Sequence, residues 1–386
     1  MVQSGPNLIT TVINMIYYLF FLFASFVATC DLLKTPIVYK KIIATFIGIL
    51  TIIFAGIRWR TGTDWEPYLN IFLYSDNFEI FMSQGYETLF LLVNFISKYI
   101  YDSYTIYLFI IATIVVVLKY STFFKISRYP LICILASMAF YSMDMFTIRQ
   151  GIAIAITIFS LRYITQNEQS KAKFIFCVIV ASGFHITALV FIPAYLIFKM
   201  KSSISRIILI TCIAAIISML FGAANILGLM TSYLPSFISM KITRYLALQD
   251  LNAFSEIPSE VRRAIGYAKR ILFVVVFAWA TYGMRNDDEG RTIRGMFNLF
   301  AFSSIMFMLL DSVHPVFSRL AMYYSASEIF LVSSVLYRFR KNAGIFIIYS
   351  VIVLYLVSRL IYGFNNHPDL FYPYETIFQH SWKEVY

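Results

Sequence analysis

The sequence predicts an all-α fold, a polytopic transmembrane helical bundle, and three observations predict it. Of 386 residues, 60% are hydrophobic and only 13% charged, where a soluble chain carries about 25% charged residues. Apolar runs near or above the length that crosses about 30 Å of hydrocarbon recur along the whole chain. The basic residues fall in short clusters between those runs, the distribution of a positive-inside membrane protein. The net charge of +11 is therefore not a nucleic-acid face, and nucleic acid is rejected as a partner. The bilayer itself is the expected surrounding.

The first run, Leu8 to Cys30, has no basic residue ahead of it and no convincing small-x-small cleavage site, so it reads as a retained helix. About ten full spans follow from hydropathy: 8–30, 41–57, 103–123, 129–147, 149–165, 204–229, 270–284, 293–311, 317–337 and 343–362. Two apolar stretches are short or irregular. Residues 87–100 are interrupted by Asn94 and Lys98; residues 172–198 carry basic residues at both ends and Gly183-Phe184-His185 near the middle.

If both stretches enter and leave on one side, clusters such as Lys34/Lys40/Lys41, Lys199/Lys201/Arg206 and Arg338/Arg340/Lys341 share the inner face, and both termini lie outside. That arrangement makes 172–198 a broken or re-entrant element with His185 at depth; one long tilted helix is the alternative. Two outer loops are long, about 58–86 and 231–269. In the second, Ile238, Ile242 and Tyr245 recur at helical spacing, which predicts an interfacial helix. No internal repeat or flexible linker divides the chain, so a single domain is expected over 1–386. Cys30, Cys133, Cys177 and Cys212 form no C-x-x-C and read as small buried hydrophobes.

The most informative polar stretch, Arg58-Trp59-Arg60-Thr61-Gly62-Thr63-Asp64-Trp65, sits directly against the apolar run that ends at Ile57. Charges at that depth are costly unless paired or used. Arg60 and Asp64 pair on one face if the stretch is helical; Gly62 argues instead for a turn that brings backbone N–H groups to a ligand. Trp59 and Trp65 read as interfacial anchors, with stacking on a sugar ring as the alternative. Arg149 and Gln150 open a helix in which Gly151 and Ala155 let a neighbour approach closely. His185 is the only ionisable group of its apolar stretch: a structural hydrogen-bonder, or a proton acceptor near neutral pH. His314 and Arg319 flank the start of another span, and Glu328 falls near mid-bilayer, where it must be protonated or paired.

There is no phosphate-binding loop, no H-E-x-x-H or Cys/His cluster, and no Asp-x-Asp pair. ATP hydrolysis, zinc chemistry and metal-dependent nucleotide-sugar transfer are disfavoured, and no metal or cofactor is expected. An arginine-rich pocket for an anion remains, since guanidinium binds phosphate oxygens in pairs.

The ordered set Arg58-x-Arg60-Thr61-Gly62-Thr63-Asp64-Trp65-x-x-Tyr68, Ile148-Arg149-Gln150, Phe184-His185 and Tyr372-Pro373-Tyr374 resembles the EpsG family of bacterial polysaccharide-synthesis membrane proteins, which includes O-antigen polymerases of the Wzy type. Trp65 departs from it, standing where tyrosine is more often found. The resemblance implies a membrane glycosyltransferase, a polymerase of lipopolysaccharide or exopolysaccharide in the bacterial inner membrane. It would work at the periplasmic face, joining oligosaccharide repeat units carried on undecaprenyl pyrophosphate, beside a membrane protein that regulates chain length. On this reading Arg58, Arg60 and Arg149, with Gln150, His314 and Arg319, bind the pyrophosphate, and His185, or second Asp64, is the catalytic base. Rival readings are a glycan ligase or acyltransferase, a transporter or flippase of lipid-linked sugars, and a non-enzymatic assembly subunit. A transporter would show paired half-sequences and charge along a through-pathway, and neither is clear.

Overall fold

The computed structural model describes residues 8–33, 35–62, 65–75, 85–142, 148–165, 169–221, 260–284, 287–311, 315–341, 344–365 and 368–379. These residues form two compact units, one drawn from 1–189 and 332–386, the other from 190–331. In chain order the main helices are α1 (Leu8–Ala28), α2 (Ile37–Gly56), α3 (Trp65–Leu73), α4 (Thr88–Ile100), α5 (Tyr104–Ile126), α6 (Pro130–Phe140), α7 (Arg149–Ser160), α8 (Lys171–Ser182), α9 (Ala194–Lys199), α10 (Ile204–Phe221), α11 (Glu260–Thr281), α12 (Asp288–Asp311), α13 (Ser327–Phe339) and α14 (Ile345–Asn365). Short helical pieces, Pro315–Ser318, Arg319–Ala321 and Met322–Ser325, lead into α13.

Among the described residues, six helical segments are long and apolar enough to cross a bilayer: 37–56, 104–126, 263–281, 288–311, 319–339 and 345–365. The chain is thus a multi-pass helical membrane protein. The expected ten crossings are not established by these six. Spans 129–147 and 204–229 run partly into residues outside the described set, the first span counts only over Met15–Asp31 as a shorter apolar helix, and α7, with twelve residues, rises only about 18 Å. The expected span at 270–284 belongs to a helix that starts earlier, at Glu260, and so shortens the second loop; the interfacial helix expected around Ile238 lies outside the described residues.

In the first unit α6 is buried on every side, with Leu131, Ile132, Ile134, Leu135 and Ala136 all at 1% exposure or less. α5 and α7 supply much of the remaining core, through Tyr107, Val115, Ile152, Ala155 and Ile158. α2 packs along α5, α7 lies between α5 and α8, and α1 and α14 pack on α6. Gly56 makes the α2–α5 approach possible: a Cβ there would lie 2.6 Å from the Phe109 ring. The outward faces of α1, α2 and α14 remain apolar, with Leu22, Phe26, Ile42, Phe46, Ile347 and Leu354 exposed. In water that surface would be a liability; in a bilayer it is the expected lipid contact.

In the second unit α12 is the central element, contacted by α9, α10 and α11. Tyr267 and Ser218 both donate to the Met308 carbonyl, at 3.0 and 2.6 Å, and so tie α11 and α10 to α12.

The irregular stretch 172–198 is broken rather than one tilted helix. α8 stops at Ser182, a 3-10 turn runs from Ile186 to Phe191, and α9 starts at Ala194. The other, α4, has thirteen residues, about 20 Å of rise, short of the hydrocarbon thickness. The four cysteines are free.

Candidate functional site

The site is built first from the two ends of the chain. α2 ends at Gly56, and the backbone leaves it as a two-residue strand, β1 (Arg58–Trp59), that pairs antiparallel with β2 (Glu375–Thr376). This ladder is the one departure from an all-helical fold among the described residues. Arg60 and Gly62 then take positive φ values, +46° and +99°, so the stretch is a turn and not the helix that would pair Arg60 with Asp64. Left-handed backbone is natural for glycine and strained for arginine.

The Gly62 N–H does not face open space for a ligand, as the sequence suggested. It donates to the Leu370 carbonyl at 2.7 Å. Tyr374 donates to the Phe54 carbonyl at 2.8 Å, and Tyr17 to that of Phe371 at 3.1 Å. The tail carrying Tyr372-Pro373-Tyr374 is therefore a wall of the Arg58 region.

Arg58 is the anomaly. It is 5% exposed, its Nε is buried with no hydrogen-bond partner, and among the described residues no carboxylate pairs with it. Burial pushes the guanidinium below the ordinary arginine range, while Tyr104, Tyr374, Tyr17 and Tyr107 oppose that shift. In the same unit, the Trp65 indole N–H is a second buried donor with no acceptor among the described residues. Trp65 is 4% and Trp59 7% exposed, their rings meet edge to face at 4.9 Å, and Trp65 packs edge-on against Tyr104 at 5.4 Å. Neither tryptophan is the interfacial anchor expected; both are packed in protein. Arg58 also borders a cavity of about 20 Å³ between α2, α5 and α7, walled by Ala55, Leu108, Ala112, Ile148 and Gly151, with room for about one water. A buried polar donor without an acceptor is expensive and rare.

Arg149 is in the opposite condition. At the start of α7 it donates from Nη1 to Glu87 Oε2 at 2.8 Å and from Nε to the Tyr68 hydroxyl at 3.0 Å. Its guanidinium lies over the Tyr86 ring, 4.9 Å from the centroid, a cation–π contact. Glu87 precedes the first turn of α4 and uses its other oxygen to accept the Ile186 N–H at 3.1 Å. Burial raises the Glu87 carboxyl, but the Ile186 and Glu87 backbone N–H groups and Arg149 outweigh that and hold it below the ordinary glutamate value.

The neighbouring His185 is half-buried, with Nδ1 2.6 Å from Thr187 Oγ1. The break after α8 is fixed to α4 by two further bonds, from the Leu89 and Phe90 N–H groups to the Gly183 carbonyl at 2.9 and 3.2 Å. α3 links the two arginine regions. Its inward residues at three-residue spacing place Trp65 against Tyr104 and Tyr68 against Arg149, with Tyr68 also 5.4 Å from Phe90.

Among the expected site residues, Arg149 and the His185 segment are thus brought together through Glu87, and Arg58 lies in the same unit. Arg60 does not join them: it is exposed and pairs with the exposed Glu66 at 3.4 Å, a contact of little energetic weight. Gln150 is buried at the start of α7. Arg319 is exposed and belongs to the second unit, where Glu328 is buried. Asp64 and His314 lie outside the described residues.

Glu87 and the Trp65 N–H were missed by sequence reasoning. Glu87 opens the apolar run 87–100, just after an outer loop that holds other acids, and only that place marked it. Trp65 was read for its ring and not for its N–H.

Fold and site define a polytopic helical membrane protein with a buried arginine at a corner where residues 370–376 bond to the 54–62 stretch. The chain belongs to the EpsG family, whose model matches residues 41–376, from within α2 to the end of β2. That family is associated with polysaccharide biosynthesis, and the chain is a membrane protein of that process. No curated protein and no solved structure matches it.

Proposed function

We propose that the protein is a polysaccharide polymerase that joins lipid-linked oligosaccharide repeat units by glycosyl transfer at the periplasmic face of the inner membrane. The observation that carries this reading is the buried Arg58, whose Nε has no hydrogen-bond partner among the described residues, with the Trp65 N–H a second such donor in the same unit. Donors kept unsatisfied in a dry setting are preorganised for an anion that arrives and develops charge. A lipid diphosphate leaving group is such an anion, and guanidinium suits its oxygens.

In the transfer, the bond between the donor sugar's anomeric carbon and the diphosphate oxygen breaks, and the diphosphate keeps the electron pair. A hydroxyl oxygen of the acceptor sugar bonds to that carbon and loses its proton to a base. Arg58 and Trp65 donate to the departing oxygens, and Arg149 adds a second cation. His185 is the preferred base, since an imidazole can take a proton near neutral pH, and its Nδ1 lies 2.6 Å from Thr187 Oγ1. Asp64 is the second candidate. Prenyl chains would lie along the apolar helix faces.

The test is purified full-length protein in nanodiscs, supplied with lipid-linked repeat units and read as a ladder on a gel. A ladder that disappears in Arg58→Ala, with the variant still folded, is the expected result. Transfer of glycan in one step to another lipid, or movement of substrate across the bilayer without lengthening, would refute the polymerase.

A further inference from the structure

We infer that Glu87 is a positioning residue of this transfer, one carboxylate that holds both the Arg149 guanidinium and the backbone bearing His185 at a fixed separation. The inference rests on the polymerase reading. Its geometry is direct: Oε2 accepts from Arg149 Nη1 at 2.8 Å and Oε1 from the Ile186 N–H at 3.1 Å. Ile186 is the residue after His185, so a single side chain connects the head of α7 to the break after α8.

The arrangement is stiff on each side. Glu87 immediately precedes α4, and the first N–H groups of that helix, from Leu89 and Phe90, clasp the Gly183 carbonyl. Gly183 permits this approach, because a Cβ there would stand 2.6 Å from Leu89. Arg149 is oriented from a second direction by Tyr68 through Nε. Two of its nitrogens are thereby engaged, and Nη2 has no acceptor among the described residues. The pair is partly wet, with side chains 23% and 16% exposed, so an incoming anion can reach Arg149 without unpacking it.

Glu87 is not the base. Both its oxygens accept strong donors, and an acid held below its ordinary range is a poor proton acceptor at neutral pH. Its part is to keep a cation that meets the diphosphate and a group that takes the proton in register, the kind of placement in which an error of about 1 Å costs about a hundredfold in rate.

The experiment uses the full chain in nanodiscs with lipid-linked repeat units as the probe, comparing wild type, Glu87→Gln, Glu87→Asp and Arg149→Ala. Glutamine has one acceptor oxygen for two donors; aspartate keeps the charge but is a methylene too short to span both. In each Glu87 variant, turnover per folded molecule should fall about ten- to a hundredfold. KM for the donor should rise less in Glu87→Gln than in Arg149→Ala, because the cation itself remains. Thermal unfolding and size-exclusion profiles give the folded fraction, and Glu87→Asp serves if the glutamine variant does not fold. Wild-type kcat and KM per folded molecule in both Glu87 variants would overturn the inference and leave the polymerase standing; a loss explained wholly by unfolded protein would do the same. A wild-type protein that lengthens no glycan would remove the polymerase reading, and this inference with it.

Discussion

Replacing Arg58 by methionine should make the protein more stable and inactive. A buried arginine whose Nε finds no acceptor among the described residues carries a desolvation cost that they do not repay. Apolar replacement of buried ion pairs is often neutral or stabilising by about 1–4 kcal/mol, and an arginine at mid-span in a transmembrane helix costs about 2.5–3.5 kcal/mol. Arg58 stands at the end of α2, not mid-span, and its stem also packs among aromatic rings, so the gain should be about 1–3 kcal/mol. Methionine fills the same volume and suits the surrounding Tyr104, Tyr107 and Tyr374 rings. At about 2–4 °C per kcal/mol for domains of 150–250 residues, the melting temperature should rise by about 2–12 °C. Scanning fluorimetry of protein in one detergent, free of added phosphate or lipid diphosphate, measures this beside the ladder assay. If Arg58→Met melts lower than wild type by an amount worth about 1 kcal/mol, Arg58 is a structural cation with a partner, and the argument that its charge is held for a substrate is wrong.

The Arg149–Glu87 pair makes stability depend on acid. Folding lowers the Glu87 carboxyl below the ordinary glutamate value of 4.5, so its contribution is complete at neutral pH and is lost as pH falls below that value. Melting temperatures taken from about pH 6 down to about pH 3 should fall more steeply for wild type than for Arg149→Ala, and parallel curves would contradict the coupling. Gly183→Val should destabilise by about 1–3 kcal/mol and lower turnover, because its Cβ would collide with Leu89 at 2.6 Å and shift the turn that leads to His185. A melting curve identical to wild type would show that α4 does not press on the break.

The helices were legible because length and hydropathy decide them locally. Runs such as 41–57, 103–123 and 343–362 correspond to α2, α5 and α14 to within a few residues. The break in 172–198 was legible from Gly183 and His185 inside an apolar run. Arg58 and Arg149 stood out as charges against lipid-length segments, but their conditions did not. Among the described residues one has no hydrogen-bond acceptor for its Nε and the other has two acceptors, and only tertiary packing shows which. Trp59 and Trp65 were misread because an aromatic at a span's end has the same composition whether it faces lipid or protein. The β1–β2 ladder was hidden for another reason: its strands are two residues each and lie at opposite ends of the chain, so no periodicity could reveal them.

That ladder has a bearing on biogenesis. Tyr374 reaches Phe54 across 320 positions of sequence, and β2 follows it directly. A nascent polypeptide carries Arg58 into the bilayer while its mate is still unsynthesised. Helical spans can settle one after another as they emerge, whereas this corner is finished only once β2 has been made, so a change near Tyr374 bears on Arg58 as directly as a change next to it in sequence.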